Sequence, residues 1–352
     1  MFADQPVTDR PVCVTGASGF VGSQITRLLL ERGYRVRGTV RTPDNRDKYD
    51  FLLSLPGADE RFELVGGELL TEGSYDDSVA GCEYVIHTAS PYVIDVDDPQ
   101  KDLVDPAVEG TRNVLKSCSK SDATEEVVLT SSMAAVTDEP ESDRTLTEQD
   151  WNEKSSLDRN PYYYSKTMAE KAAWSYVDED DPGLDLVVIN PFMIVGPSLA
   201  PSLNTSNEIF VDLLNGEYPG IIRITWGFVD VRDVADAHLL AVENPDAEGR
   251  YICANRNASM KEIVELLKGN GYDNYDLPKL DLACKFGDYA VKLASYFESA
   301  GTGSYLRTHI GRVPNYDNSK IREELGLEFR DLDRTILDTV EDLLRWGHLE
   351  ER

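Results

Sequence analysis

The chain is short of positive charge: its 352 residues hold 35 Lys plus Arg against 64 Asp plus Glu, a formal net charge of −29. That deficit excludes a nucleic-acid binder working through a broad basic face. Cysteine is scarce, with five residues (Cys13, Cys82, Cys118, Cys253, Cys284) that are scattered, odd in number and without a CxxC pair. A disulfide framework is therefore not expected, and the thiols are read as reduced in a cytoplasmic protein. The four histidines (His87, His238, His309, His348) lack a metal-ligand spacing, so no metal is expected. Long apolar runs are missing too: Leu186–Val195 is broken by Asn190 and Pro191, and Met1–Arg10 has no apolar core. Neither a membrane span nor a secretory leader is expected. There is no internal repeat, and the acidic clusters Asp95–Asp98 and Asp178–Asp181 lack the ligand pattern of a calcium loop, which leaves them as solvated loops.

What is present suffices for a large core: 41% hydrophobic residues, with 17 Tyr, 10 Phe and 4 Trp. The length suits one large domain or two intimate ones. Short apolar, β-branched runs at Val12–Thr15, Arg35–Val40, Phe62–Val65, Tyr84–Thr88, Val127–Thr130 and Leu186–Ile189 alternate with helix-like segments at Gly22–Glu31, Ser74–Ala80, Asp102–Ser119 and Tyr162–Val177. Strands and helices taking turns predict a doubly wound α/β fold, a parallel sheet buried on both faces. After Gly196 the rhythm loosens through Pro197–Asn207, a helix-like Glu208–Leu214 and a loop, then resumes with Phe228–Val231, Asp233–Val242 and Arg250–Ala254. Ser259 and Glu262 form a capping box for a helix over Met260–Lys268. The C-terminal third thus reads as a smaller domain interleaved with the sheet.

Thr15–Ser23 reads TGASGFVGS, placing Gly16, Gly19 and Gly22 between the first strand and its helix. Glycine there allows a tight turn, close approach of backbone to a pyrophosphate, and close helix-strand packing, while the helix N-terminus offers unpaired N–H groups to the anion. A dinucleotide cradle of the Rossmann type is expected, with Ser18, Phe20 and Val21 completing the turn. The second strand ends Thr39-Val40-Arg41-Thr42, with no acidic residue to hydrogen-bond a ribose 2′-hydroxyl. Arg41 is placed to grip a 2′-phosphate, with Lys48 in reach, which favours NADP(H) over NAD(H). A solvated strand-end arginine is the bland alternative. These features divide the chain into an NADP-binding domain over residues 1–196 plus 227–250 and a substrate-binding cap over 197–226 plus 251–352.

Asn160-Pro161-Tyr162-Tyr163-Tyr164-Ser165-Lys166 starts a helix, with Asn160 as N-cap and Pro161 in the first turn. Tyr162 and Lys166 are four apart and share a face. A phenol of pKa about 10 is a poor proton donor-acceptor at neutral pH, and a neighbouring ammonium stabilises its phenolate. Tyr163, three from Lys166, is not excluded by spacing.

Taken together, TGASGFVGS, TVRTP at the second strand end, HTASP at His87–Pro91, TSSMAAV at Thr130–Val136, YYYSK at Tyr162–Lys166, NPFMIVGP at Asn190–Pro197 and FVDVRDVADAH at Phe228–His238 give a resemblance over nearly the whole chain. The sequence resembles an extended short-chain dehydrogenase/reductase, of the group holding plant dihydroflavonol and cinnamoyl-CoA reductases and yeast carbonyl (methylglyoxal) reductases. The resemblance implies that Ser132 polarises a substrate carbonyl, with Ser131 as the alternative. It implies Tyr162 as proton donor, and Lys166 as the group that lowers its pKa and binds the nicotinamide ribose. Thr88, Ala89, Ser90 and Thr130 match cofactor-lining positions, as do Pro191 and Ile194 beside the nicotinamide. Glu68-Leu69 stands where the family usually has Asp-Leu near the adenine, so Leu69 can pack on the ring while the acidic contact departs by one methylene.

The implied activity is NADPH-dependent reduction of ketones or aldehydes to alcohols, an alcohol dehydrogenase or ketoreductase acting on small molecules as a monomer or homodimer. Tyr92, Met133, Phe192 and Trp226 are candidates for an apolar substrate pocket, each with core packing as its alternative. Plant flavonoid reductases typically carry an Asn after TSSxxxV and a Gln before the FVH stretch. Thr137 and Gly227 stand at those places, which favours a broad-range carbonyl reductase over a dihydroflavonol-specific one. The rival readings are a sugar-nucleotide epimerase or dehydratase with tightly held NAD, against which Arg41 argues, and a non-catalytic NADP sensor, against which Ser132, Tyr162 and Lys166 argue. The acidity is also uneven: residues 32–48 hold six basic and two acidic side chains, 6 − 2 = +4, a basic island at the expected 2′-phosphate site.

Overall fold

The structure is a computed structural model that describes residues 2–3, 5–90, 96–141, 143–180 and 183–352. Its strands are β1 (Val12–Thr15), β2 (Val36–Val40), β3 (Phe62–Gly66), β4 (Tyr84–His87), β5 (Glu126–Thr130), β6 (Asp185–Pro191), β7 (Met193–Val195), β8 (Thr225–Asp230), β9 (Gly249–Cys253) and β10 (Arg256–Ser259). The principal helices are α1 (Phe20–Glu31), α2 (Asp105–Ser119), α3 (Pro161–Ser175), α4 (Thr205–Asn215), α5 (Val231–Glu243), α6 (Met260–Gly269), α7 (Lys285–Ala294), α8 (Ala300–His309) and α9 (Leu332–Arg345).

Seven strands form one sheet in the order β3-β2-β1-β4-β5-β6-β9, every neighbouring pair parallel. Alternate residues of each strand feed different cores, which is why the strands are apolar almost without a break. Val12, Val14, Ile86, Val128 and Ile189 join α1 and α5 on one face. Cys13, Val85, Val127, Leu129 and Val188 join α2 and α3 on the other. The chain runs outward from β1 in one direction and from β4 in the other, so a crevice opens between the C-terminal ends of these two strands. Ligands of open α/β sheets bind at such a switch point.

A second sheet, β10-β8-β7, lies over the cap core, where Phe210, Trp226, Phe228, Ile263, Ile336 and Val340 are buried together. The expected strand at Phe228–Val231 belongs to this smaller sheet, paired in parallel with β7 and antiparallel with β10. The capping box at Ser259 and Glu262 is present in both directions. Asn160 departs from expectation. It precedes α3 with a left-handed backbone, φ 48°, in place of the extended one a cap needs, and makes no capping bond; its side-chain nitrogen donates to Asp138 and to Thr308 Oγ1, and its Oδ1 is left unpaired. The demand of the buried Asp138 carboxylate overrides the local capping preference.

Candidate active site

The glycine turn after β1 is shaped by near contact. Gly16 has φ +68°, and a Cβ on it would stand 3.0 Å from the Ala89 Cα. A Cβ on Gly22 would fall 2.3 Å from the Gly16 carbonyl oxygen. The turn is stitched to its neighbours: Gly16 N donates to Thr39 Oγ1 at 3.3 Å, Thr88 Oγ1 donates to the Thr15 carbonyl at 2.7 Å, and the Thr88 and Ala89 amides donate to Thr15 Oγ1 at 3.2 Å. Gly19 caps α1 without a side-chain bond, and no acidic residue stands in its first turn. The leading amides of Phe20, Val21 and Gly22 have no acceptor within the helix, so this end suits an anion. Ser18 and Gly19 lie at the open lip of the turn, Ser18 half-buried and Gly19 exposed. The residues present fit a dinucleotide.

At the far side of that crevice Leu69 packs against Gly110 of α2, where a Cβ would fall 2.4 Å from the Leu69 side chain, and its carbonyl accepts from Asn113 Nδ2 at 3.0 Å. The neighbouring Glu68 side chain is exposed. Arg41 and Lys48 are also exposed, on the segment following β2. Lys48 Nζ lies 5.6 Å from the Tyr49 ring centroid, whereas Arg41 makes no hydrogen bond or ion pair among the described residues. Arg37, in the same basic window, is committed elsewhere, to Glu63 at 2.9 Å and to the carbonyls of Ser78 and Ala80.

The residues expected to be catalytic lie beyond β4 and β5, on α3 and in the turn after β5. Lys166 Nζ donates to Ser90 Oγ at 2.9 Å and lies 5.8 Å from the Tyr162 ring centroid. Burial pulls its pKa down from the ordinary lysine value to about 8. Ser132 follows β5 with extended backbone, half-buried, and its Oγ accepts from the Ala134 amide at 3.1 Å. The two alternatives left open by spacing occupy different surroundings. Ser131 turns inward and donates to the buried carboxylate of Glu170. Tyr163 faces the cap, with its ring 5.6 Å from that of His309 and 6.3 Å from that of Tyr305.

Beneath these groups lies a polar network that sequence reasoning missed. Glu170, 1% exposed, accepts from Arg250 Nε at 2.5 Å, from Asn190 Nδ2 at 2.7 Å and from Ser131. Asn190 Nδ2 also reaches the Ser132 carbonyl at 3.2 Å. Arg250 Nη1 donates to the carbonyls of Glu148 and Asp150, and the guanidinium lies 4.0 Å from the Trp151 ring centroid. The signal was available, because Tyr162, Lys166 and Glu170 recur every four residues along one face of α3. His87 is buried beside them; its Nδ1 pairs with Thr15 Oγ1 at 2.7 Å, and burial with the Lys166 charge pulls its pKa down to about 3. Thr130 Oγ1 is paired with His238 Nε2 at 2.7 Å.

Of the pocket candidates, Met133 is buried with Val136, Leu146, Ile252 and Ala254, while Trp226 sits in the cap core 6.1 Å from the Phe228 ring. Phe192 is half-buried, its ring 5.9 Å from that of Tyr316. Pro191 is buried and Ile194 half-buried, at the passage from β6 to β7. Tyr92 lies outside the described residues. No group of three or more His, Cys, Asp or Glu among the described residues is arranged to hold a metal ion. Nor is any described helix long and apolar enough to cross a membrane.

Removing the Glu170 carboxylate would strand Arg250 as a buried, uncompensated cation. Glu170→Ala is expected to lower unfolding free energy by about 3–5 kcal/mol in urea titration. A loss below about 1 kcal/mol would show that the network does not hold this region together.

The chain is similar along nearly its whole length to known reductases. A cinnamoyl-CoA reductase from Medicago truncatula is 43% identical over 343 residues, covering 94% of this chain and 95% of the relative. Tetraketide alpha-pyrone reductase 1 of Arabidopsis thaliana is 38% identical over 96% of both chains. Among solved structures, the yeast methylglyoxal/isovaleraldehyde reductase Gre2 complexed with NADPH superposes with a TM-score of 0.79 at 30% identity, over 96% of this chain and 99% of that one. Residues 12–254 match the model of the NAD dependent epimerase/dehydratase family. The chain belongs to that family, the extended short-chain dehydrogenases/reductases, which its strand order and glycine turn already describe.

Proposed function

We propose that this oxidoreductase is a cytoplasmic NADPH-dependent carbonyl reductase that converts ketones or aldehydes to alcohols. The observation that carries the reading is the Lys166–Tyr162 pair on α3, with Lys166 on Ser90 and with the turn that follows Ser132 tied to the same helix by Thr167 Oγ1 donating to the Ala134 carbonyl at 3.3 Å, beside a cradle free of carboxylates. The α1 amides and the turn at Gly16, Gly19 and Gly22 would hold the pyrophosphate. Arg41 holds the 2′-phosphate, because its guanidinium is exposed and uncommitted where β2 ends beside the turn. Leu69 would border the adenine and Ile194 the nicotinamide. Residues 1–196 with 227–250 carry these contacts, and residues 197–226 with 251–352 close the substrate side.

NADP(H), when bound, supplies the hydride that reduces the carbonyl carbon. Ser132 Oγ donates a hydrogen bond to the carbonyl oxygen as negative charge grows there. Tyr162 passes its phenolic proton to that oxygen, and the Lys166 ammonium stabilises the phenolate left behind until a solvent proton replaces the one lost. Ser90 orients Lys166 by accepting a hydrogen bond from its Nζ at 2.9 Å. The relatives at 36–43% identity are reductases, which supports reduction over epimerisation. Phe192 and Tyr316 supply an aromatic wall suited to alkyl or aryl carbonyl compounds.

Tyr162→Phe is expected to abolish NADPH oxidation across a carbonyl panel, followed by absorbance, while NADPH still binds; near-normal turnover would overturn the assignment. Arg41→Ala should raise the KM for NADPH by about tenfold or more and leave that for NADH nearly unchanged, since one charge-assisted bidentate contact is worth about 1.5–3 kcal/mol. An equal effect on both cofactors would remove Arg41 from the 2′-phosphate.

The Lys166 charge gives the pH dependence its sign. With a pKa near 8, the ammonium is present below that pH and lost above it, so kcat/KM is expected to fall as pH rises through about 8. Lys166→Arg, which keeps its charge throughout, should remove that limb from whatever activity it retains. A wild-type profile that stays flat through the same range would refute the role.

A further inference from the structure

His87 ends β4 out of solvent, 1% exposed, and its neighbours decide where the ring carries its proton. Thr15 Oγ1 accepts from the Thr88 and Ala89 amides, at 3.2 Å each, which occupies both of its lone pairs. Its own proton then goes to His87 Nδ1 at 2.7 Å. Burial, with the Lys166 charge, holds the imidazole pKa at about 3, so the ring is neutral and its one proton sits on Nε2. That N–H has no partner among the described residues. A buried donor without an acceptor is costly, and native interiors rarely keep one.

The ring borders a small cavity between α2, α3 and the ends of β4 and β5, with Thr111, Ser131, Lys166 and Glu170 also on its wall. It leaves about 20 Å³ for the centre of a water molecule, the size that one water needs. The wall supplies hydrogen-bonding groups of both senses. His87 Nε2 and Lys166 Nζ are donors, the lysine having given one of its protons to Ser90 Oγ at 2.9 Å. Thr111 Oγ1 donates to the Ala107 carbonyl at 2.9 Å and Ser131 Oγ donates to the Glu170 carboxylate, so each of these hydroxyl oxygens is left with lone pairs to offer. Two donors and two acceptors are the complement of one water. The titratable side chains on the wall are His87, Lys166 and Glu170, with Tyr162 one turn before the lysine. An anion there would meet Glu170 and a cation Lys166, so the charges select a neutral occupant.

We propose that a single water occupies this cavity as a fixed part of the fold and that His87 acts through it as a positioning residue for Lys166. The water accepts from His87 Nε2 and Lys166 Nζ and donates to Thr111 Oγ1 and Ser131 Oγ. Thr15, which leads into the glycine turn, is thereby tied to the lysine by an unbroken chain of hydrogen bonds. The kinetic consequence rests on the role proposed above for Lys166, whereas the site itself does not.

Imidazole nitrogen NMR of the full-length protein reads the site without turnover. His238 and His309 donate from Nδ1, to the Val234 and Tyr305 carbonyls at 2.7 and 3.1 Å, so of the three buried rings that of His87 alone should be an Nε2–H tautomer. It should stay neutral from about pH 8 down to about pH 5. A high-resolution crystal structure should show one water within hydrogen-bonding distance of His87 Nε2 and Lys166 Nζ. An Nδ1–H ring at His87, or a crystal structure without that water, would overturn the site. His87→Leu should move the basic limb of kcat/KM to lower pH by about one unit, because the ammonium loses a partner that favours its charged form. His87→Gln, which returns an N–H to the same space, should bring most of that shift back, and a ring that only fills volume would give no such rescue. Thr111→Val, which leaves β4 untouched and removes one acceptor, should move the limb in the same direction. A limb unmoved in both His87→Leu and Thr111→Val would overturn the positioning role. A wild type that shows the tautomer and the water but no limb would refute the reading of Lys166 and uphold the site.

Discussion

The buried ion pair of Glu170 and Arg250 is the constraint on which the arrangement of the reactive groups depends. Charged groups this deep are tolerated only when paired and hydrogen-bonded on nearly every side. Here the requirement draws four separate segments together. Arg250 comes from the edge strand β9, Glu170 from α3, Ser131 from the end of β5 and Asn190 from β6. Arg250 also fixes the carbonyls of Glu148 and Asp150, in the loop that leads toward α3. Because Glu170 lies one turn beyond Lys166 and two beyond Tyr162, fixing the carboxylate sets the rotation of the helix that presents both. The same carboxylate engages the Ser131 hydroxyl, whereas the Ser132 hydroxyl accepts from the Ala134 amide.

Electrostatics at the two ends of the crevice work in opposite ways. At the reactive end, charge is buried and few in number, so each group acts on its neighbours with little screening, and desolvation alone brings Lys166 toward the range where it titrates near neutrality. At the other end Arg41 and Lys48 stand in solvent, where a salt concentration of about 1 M shortens the reach of the field to about 3 Å. A direct bidentate contact survives such screening far better than long-range attraction does. An overall charge of −29 acts on an anion at long range, whereas the two exposed cations at this edge act at contact.

Much of this was legible in the sequence because it follows from periodicity and backbone demand. Continuous apolar strands, a glycine turn that tolerates no Cβ and a tyrosine-lysine pair on one helical face are local properties, and the sheet and crevice follow from them. What stayed open was decided by partners distant in sequence. Spacing could not separate Tyr162 from Tyr163, and His309 with Tyr305, more than 140 residues on, accounts for the second ring. Local propensity made Asn160 an N-cap, and the buried Asp138 drew its amide away. The smaller sheet escaped notice because β7 and β10 are only three and four residues long. The partial exposure of α7 was equally hidden, since periodicity reports that a helix has an apolar face and not which way it turns.

The packing around Phe192 shows how one backbone position fixes an aromatic ring on a neighbouring segment. Gly227 lies on β8 directly beneath Phe192, and a Cβ there would fall 2.5 Å from the ring. The phenylalanine in turn rests on Tyr316, 5.9 Å between centroids, and Tyr316 belongs to the segment bridged to Leu146. A larger residue at 227 cannot coexist with this ring position: Phe192 must move, and the packing on Tyr316 must loosen with it. Glycine at 227 and phenylalanine at 192 are therefore one structural choice, an aromatic wall in place of a polar side chain. The face that Phe192 and Tyr316 present beside the Met133 cluster is accordingly one of apolar bulk, with no polar side chain from position 227.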